Sequence, residues 1–207
     1  GAAIATAGFA PDYAPEIDLR AVVTTGVPYF TPKALIALQD ARPDDVVDPM
    51  LGYNFLVLTL IEYIDPSFDS TDYVNADVLP VARAVSSTCN RPMRKKISEL
   101  ELTYNGAFEN SPRKNLQQAY GLMQFPTLKL GVPLFVGTGS IDRDTPPRMQ
   151  ARFVEAACAA GTKVLAHQYK NYDHLSALNR SMTDSIPFVE SAFSGVAATD
   201  NCNALPY

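Results

Sequence analysis

Two residues in this chain of 207 have the types and the placement for acid–base work, Asp142 and His174. Asp142 follows the run Val132-Pro133-Leu134-Phe135-Val136-Gly137-Thr138-Gly139, and His174 follows Thr162-Lys163-Val164-Leu165-Ala166-His167-Gln168-Tyr169 and the polar turn Lys170 to Asp173. Each run reads as a short buried strand, and a helix is expected between them from Pro146 to the stop signal Ala160-Gly161. In a parallel sheet the loops leaving the carboxyl ends of neighbouring strands share one edge, so the carboxylate and the imidazole can meet there. An imidazole titrates near neutrality and can accept a hydroxyl proton; a buried carboxylate on its other nitrogen fixes the tautomer and stabilises the imidazolium that forms. Asp144 competes with Asp142 for the acid's place, although it and Thr145 are also suited to cap the helix beginning at Pro146. His167 lies inside a strand and is expected to be structural, and two histidines far from any cysteine or acidic ligand pattern make no zinc motif. Gly137-Thr138-Gly139 lacks the third glycine and the opening helix of a dinucleotide fingerprint.

The elements that must carry this pair are legible on either side. Gly1 to Ala10 is small and apolar, has no capping residue and reads as a helix entered part-way. Ala14-Pro15-Glu16 marks a turn, and Leu19 to Gly26 is a β-branched run ended by glycine, a short buried strand. From about Pro28 to Pro126 apolar residues recur at helical spacing, as in Leu35 and Leu38, Leu56, Leu60 and Ile64, or Leu116, Tyr120 and Met123, between loops rich in Asp, Pro and Asn. Phe55, Leu56, Leu60 and Ile64 are read as helix core rather than ligand contacts. A helical segment from Ser176 and a last helix from Ile186 to Phe193 close the chain. Strands alternating with helices give an α/β class with a parallel sheet.

Composition excludes several functions. With 47% hydrophobic residues, 19% charged and a net charge of -5, the chain is globular and carries no nucleic-acid footprint. Its basic cluster, Arg91-Pro92-Met93-Arg94-Lys95-Lys96, is followed by Glu99 and Glu101 and reads as a solvated helix face. The apolar run Phe55 to Ile61 is far shorter than a membrane span, so no transmembrane segment is expected. Three cysteines fit one bridge with a thiol left over, a partner cysteine elsewhere, or three separate thiols.

Pro133 to Pro147, with Asp142 four residues before the first proline of the pair, resembles the acid-bearing segment of the secretory lipase family of the α/β-hydrolase superfamily, the fungal lipase A type. Cys158-Ala159-Ala160-Gly161-Thr162-Lys163-Val164, Tyr169-Lys170-Asn171-Tyr172-Asp173-His174 and the tail from Pro187 to Cys202 are similar to that family too. Residues 1–28 look like its helix and strand after a Gly-x-Ser-x-Gly elbow. The resemblance implies a Ser-Asp-His triad in which Asp142, preferred over Asp144, is the acid and His174 the base. It implies a Cys158–Cys202 disulfide tying the tail to the core, with Cys89 left unassigned, no metal or organic cofactor, and a secreted or periplasmic location. It also implies a division into hydrolase core (residues 1–28 and 126–207) and an inserted, mostly helical cap (residues 29–125). No Gly-x-Ser-x-Gly occurs in the chain, so the serine and the oxyanion-hole donors are expected ahead of Gly1, in a missing N-terminal half of the same fold. The parent would be a lipase acting on lipid esters, with an esterase or acyltransferase on smaller esters as its rival; this chain alone would be inactive. A hydrolase remnant acting as an interaction protein is the alternative from outside catalysis.

Overall fold

The computed structural model describes residues 1–207 and divides them into two compact units, Gly1–Ala41 with Gln124–Tyr207, and Arg42–Met123. In chain order the elements are α1 (Ala2–Tyr13), β1 (Val22–Thr25), α2 (Pro32–Asp40), α3 (Leu51–Ile64), α4 (Leu79–Ala84), α5 (Asn90–Glu99), α6 (Tyr104–Ala107), α7 (Arg113–Leu122), β2 (Leu134–Gly139), α8 (Pro147–Ala159), β3 (Val164–Tyr169) and α9 (His174–Phe193).

The first unit is an α/β layer structure on a parallel sheet of three strands in the order β1-β2-β3, with Val22 beside Leu134 and Leu134 beside Val164. The central strand β2 is buried at every position, which is why it reads as a continuous apolar run rather than an alternation. One face of the sheet packs Val22, Leu134, Val136, Val164 and Ala166 against Ile4 of α1 and Phe153, Val154 and Ala157 of α8. On the other face Phe135 meets Phe188 of α9 at 5.7 Å between ring centroids. Helices on both sides leave the carboxyl ends of the strands as the open edge of the layer, where Asp142 and His174 follow. The structure places α2 in this unit, so Pro32–Asp40, which the sequence pattern groups with the insertion, belongs with the sheet.

The outer edge of β3 is closed by one residue. Asn201 donates its N–H to Val164 O at 3.0 Å, accepts from the Ala166 N–H at its Oδ1 at 2.8 Å, and donates its amide to Ala166 O at 2.8 Å. A single asparagine thus supplies the pairing a fourth strand would give, which blunts the edge against association. The neighbouring Cys202 is bridged to Cys158 of α8, closing a sequence separation of 44 residues. β1, at the other end of the order, pairs on one side only.

Pro187 suggests a break before Ile186, yet α9 is one helix of 20 residues. Its buried stripe, Ala177, Ser181, Ser185 and Phe188, runs through the proline at helical spacing and keeps both halves on the sheet. Continuous burial there outweighs the lost N–H, whose helix-breaking cost is about 3 kcal/mol.

The second unit is helical. Leu51, Phe55, Leu58 and Ile61 of α3, Met93 and Ile97 of α5, and Leu116 and Tyr120 of α7 are buried. Of the apolar row expected in its core, only Phe55 is there: Leu56, Leu60 and Ile64 are 44%, 38% and 48% exposed. The heptad-like spacing of 51, 55, 58 and 61 occupies the inward stripe, and the row spaced by four at 56, 60 and 64 is turned about 100° from it. The basic cluster forms the outer face of α5, with Lys95 paired to Glu99 at 3.6 Å. Cys89 is an exposed free thiol. No helix is long and apolar enough to cross a membrane.

Candidate active site

Two strand ends and two helix starts build the site. The chain leaves β2 at Gly139 and tightens at once, the Asp142 N–H bonding to Gly139 O at 3.2 Å. This turns the Asp142 side chain inward, and the residue is 3% exposed. Its Oδ1 accepts from the N–H groups of Asp144 and Thr145, each at 2.9 Å. Its Oδ2 accepts from the Thr145 hydroxyl at 3.0 Å, from the Gln150 amide at 3.1 Å and from His174 Nδ1 at 2.9 Å. A carboxylate offers about four lone-pair directions, so these contacts saturate it and fix its plane.

The same bonds correct the expected capping of α8. Pro146 is the residue before its first turn, with no side-chain cap. Asp144 and Thr145 instead turn their N–H groups back to Asp142, in the manner of an Asx turn, and the Thr145 hydroxyl is committed to the same carboxylate.

From the end of β3 the chain passes through Asn171, whose φ of 65° turns it sharply. The carbonyls of Tyr172 and Asp173 then lie against Gly139, where an added Cβ would overlap Tyr172 O and come within 2.8 Å of Asp173 O. Glycine is required at 139 for this close approach. Asp173 caps α9 reciprocally with Ser176: the Ser176 N–H donates to Asp173 Oδ1 at 2.8 Å and the Asp173 N–H donates to Ser176 Oγ at 2.9 Å. The Ser176 hydroxyl, and then its N–H, hold the Asp173 carboxyl below the usual carboxylate range. His174 is therefore the first residue of a well-capped helix rather than the last of a loop.

The imidazole lies between Asp142 and Gly26. Gly26 has φ +57°, and a Cβ added there would overlap His174 Cε1 and lie 2.7 Å from Nδ1. Nδ1 faces an acceptor-only carboxylate and so carries the proton, which makes Nε2 the basic nitrogen of the neutral ring. With its side chain 32% exposed, the ring is open to a reacting partner, whereas the Asp142 side chain is 1% exposed. Gly26→Ala combines a left-handed backbone strain of about 1–2 kcal/mol with displacement of the ring. We expect it to lower any activity resting on His174 by about 100-fold with the near-UV circular dichroism retained. A Gly26→Ala protein at the wild-type rate would show that the glycine only turns the chain.

His167 behaves as expected of a strand residue, stacked on Phe135 at 5.3 Å and 3.9 Å from Asp184 through Nδ1.

Over its whole length this chain is similar to the X-ray structure of Candida antarctica lipase A in its closed state, with a TM-score of 0.71 and 17% identity, covering 49% of that chain. A second structure of the same lipase matches 96% of this chain and 47% of its own, with a TM-score of 0.68 and 18% identity. This chain has an α/β-hydrolase fold. It spans about half the length of these two lipase structures. No protein-family model and no curated protein matches it.

Within this α/β-hydrolase frame the structure also exposes residues the sequence does not single out. Gln150 is fully buried and bonded on both ends of its amide. Its signal was available: 150, 153, 154 and 157 share one helix stripe, and a lone polar residue among Phe153, Val154 and Ala157 needs a partner. Tyr207 reaches Thr138 Oγ1 with its hydroxyl at 3.0 Å, and burial pushes its phenol up to about 12. No local pattern announces that contact.

Proposed function

We propose that this chain supplies the acid and the base of a serine carboxylic-ester hydrolase, with a lipid ester as the substrate class. The observation that carries this is the 2.9 Å contact of Asp142 Oδ2 with His174 Nδ1 at the carboxyl edge of a parallel sheet in an α/β-hydrolase fold. The nucleophile is a serine on a Gly-x-Ser-x-Gly turn ahead of α1, on a strand beside the open side of β1. The partial coverage of the matched lipase supports that placement, as does β1, which pairs on one side only.

In the reaction the serine oxygen attacks the ester carbonyl as His174 Nε2 takes the hydroxyl proton, and Asp142 stabilises the imidazolium through Nδ1–H. Collapse of the tetrahedral adduct breaks the bond to the alcohol, which leaves with the proton from Nε2. Water then repeats the sequence on the acyl-serine, the proton returning to the serine, and the carboxylic acid departs. The likeness to a lipase supports a lipid ester as the acyl donor. The Cys158–Cys202 bridge supports an oxidising compartment, outside the cytosol.

The experiment is hydrolysis of p-nitrophenyl esters of graded chain length by the complete polypeptide that carries this chain. Hydrolysis of medium and long acyl chains is expected. Preference for acetate would select an esterase on small esters, and no hydrolysis of any ester by a polypeptide containing the serine turn would contradict the proposal.

A further inference from the structure

We propose that Gln150 is the positioning residue of the Asp142–His174 pair, joining through one buried amide the loop that holds the carboxylate to the strand end that floors the imidazole. This rests on the acid–base role given to the pair above. Nε2 of Gln150 donates to Asp142 Oδ2 at 3.1 Å, to Thr145 O at 2.7 Å and to Thr145 Oγ1 at 3.3 Å. On the other side its Oε1 accepts from the Val27 N–H at 3.4 Å and from the Thr138 hydroxyl at 3.2 Å. The amide orientation follows from its partners, because Thr145 O and the carboxylate can only accept and the Val27 N–H can only donate.

Each contact holds something the histidine needs. Asp142 Oδ2 is the oxygen that His174 Nδ1 also uses, so the Gln150 donor sets the direction in which that oxygen faces the ring. Val27 adjoins Gly26, the residue against which the ring rests. A methionine would fill the same stripe of α8 between Met149 and Phe153 without burying five polar contacts, and a buried amide is stable only when bonded. The titratable groups on this network are Asp142, His174 and, beyond Thr138, Tyr207. Arg148, Arg152 and Glu155 of the same helix are on its outer side, exposed, with Arg148 facing Asp40 of α2.

The test uses the complete polypeptide that carries this chain, with ¹⁵N-labelled histidine, in which His167 is the internal reference. The wild type should show a downfield His174 Nδ1 proton bonded to Asp142. Gln150→Met removes a bond to a charged group, and exchange of that proton with water should accelerate about tenfold or more while the His167 signals stay in place. Thr138→Val, which loosens the other end of the amide and keeps a β-branched residue in β2, should give a smaller acceleration in the same direction. Unchanged exchange and unchanged His174 shifts in folded variants would overturn the proposal and leave Gln150 as core packing. If Gln150→Met does not fold, Thr138→Val alone decides. Because this readout needs no nucleophile, the two proposals fail separately: accelerated exchange in a protein that hydrolyses no ester removes the hydrolase function and keeps Gln150's role.

Discussion

On the proposed acid–base role, replacing His174 with alanine in the complete polypeptide that carries this chain should lower kcat for p-nitrophenyl ester hydrolysis by about 10⁴- to 10⁶-fold. The expected loss is large because the proposed mechanism gives both proton transfers to this one ring. The serine hydroxyl is a weak nucleophile until a base takes its proton, and the same nitrogen must return that proton to the departing alcohol. KM should change little, since the imidazole contributes to the transition state far more than to substrate binding. The fold should survive: four donors still satisfy the buried Asp142, namely the Asp144 and Thr145 N–H groups, the Thr145 hydroxyl and the Gln150 amide. The Asp173–Ser176 cap of α9 is also untouched. Steady-state kinetics with a thermal melt on the same preparation check both halves. A His174→Ala protein at the wild-type rate would remove the base from the account.

The core of the site was readable because it follows from local pattern. Val132 to Gly139 and Thr162 to Tyr169 are short, β-branched or apolar, and bounded by glycine or polar turns, so the two strands could be placed and their loops assigned to one edge. Parallel pairing then brings Asp142 to His174, and no longer-range information is needed. Choosing Asp142 over Asp144 needed more than pattern, since both precede the same helix start. In the structure the Asp142 side chain is the one that lies against His174, and Asp144 gives it a backbone N–H.

What escaped the sequence depends on contacts between distant residues or on competition between local signals. Asp144 and Thr145 carry strong capping chemistry, yet the buried carboxylate two or three residues back takes their donors. Pro187 is a strong breaker, yet the buried stripe of α9 overrides it. Gly26 reads as the end of a strand, and its second role, against an imidazole 148 positions later, is set only by tertiary packing. The row at Leu56, Leu60 and Ile64 has helical period but no phase: the sequence shows that the residues share a side, and the structure shows which side faces out. Asn201 closing β3 is invisible for the same reason, as nothing in its neighbourhood resembles a strand.

Asp142→Asn is the second large effect expected. The asparagine keeps the size of the side chain but has one acceptor oxygen where the carboxylate has two. The N–H groups of Asp144 and Thr145 demand an acceptor at the Oδ1 position, which turns the new amide's NH₂ toward Nδ1 of His174. That nitrogen can then meet the donor only as an acceptor, so the ring shifts to the tautomer with its proton on Nε2 and cannot take the serine's proton. The expected loss in kcat is about 10⁴-fold, with the fold retained. Asp144→Asn leaves its backbone donor in place and should alter kcat by less than about threefold. Measuring kcat for these two variants side by side, on one p-nitrophenyl ester, tests most directly whether Asp142 and His174 are the working acid and base. A collapse in Asp142→Asn alone is the predicted result; activity surviving in Asp142→Asn, or lost in Asp144→Asn instead, would contradict it.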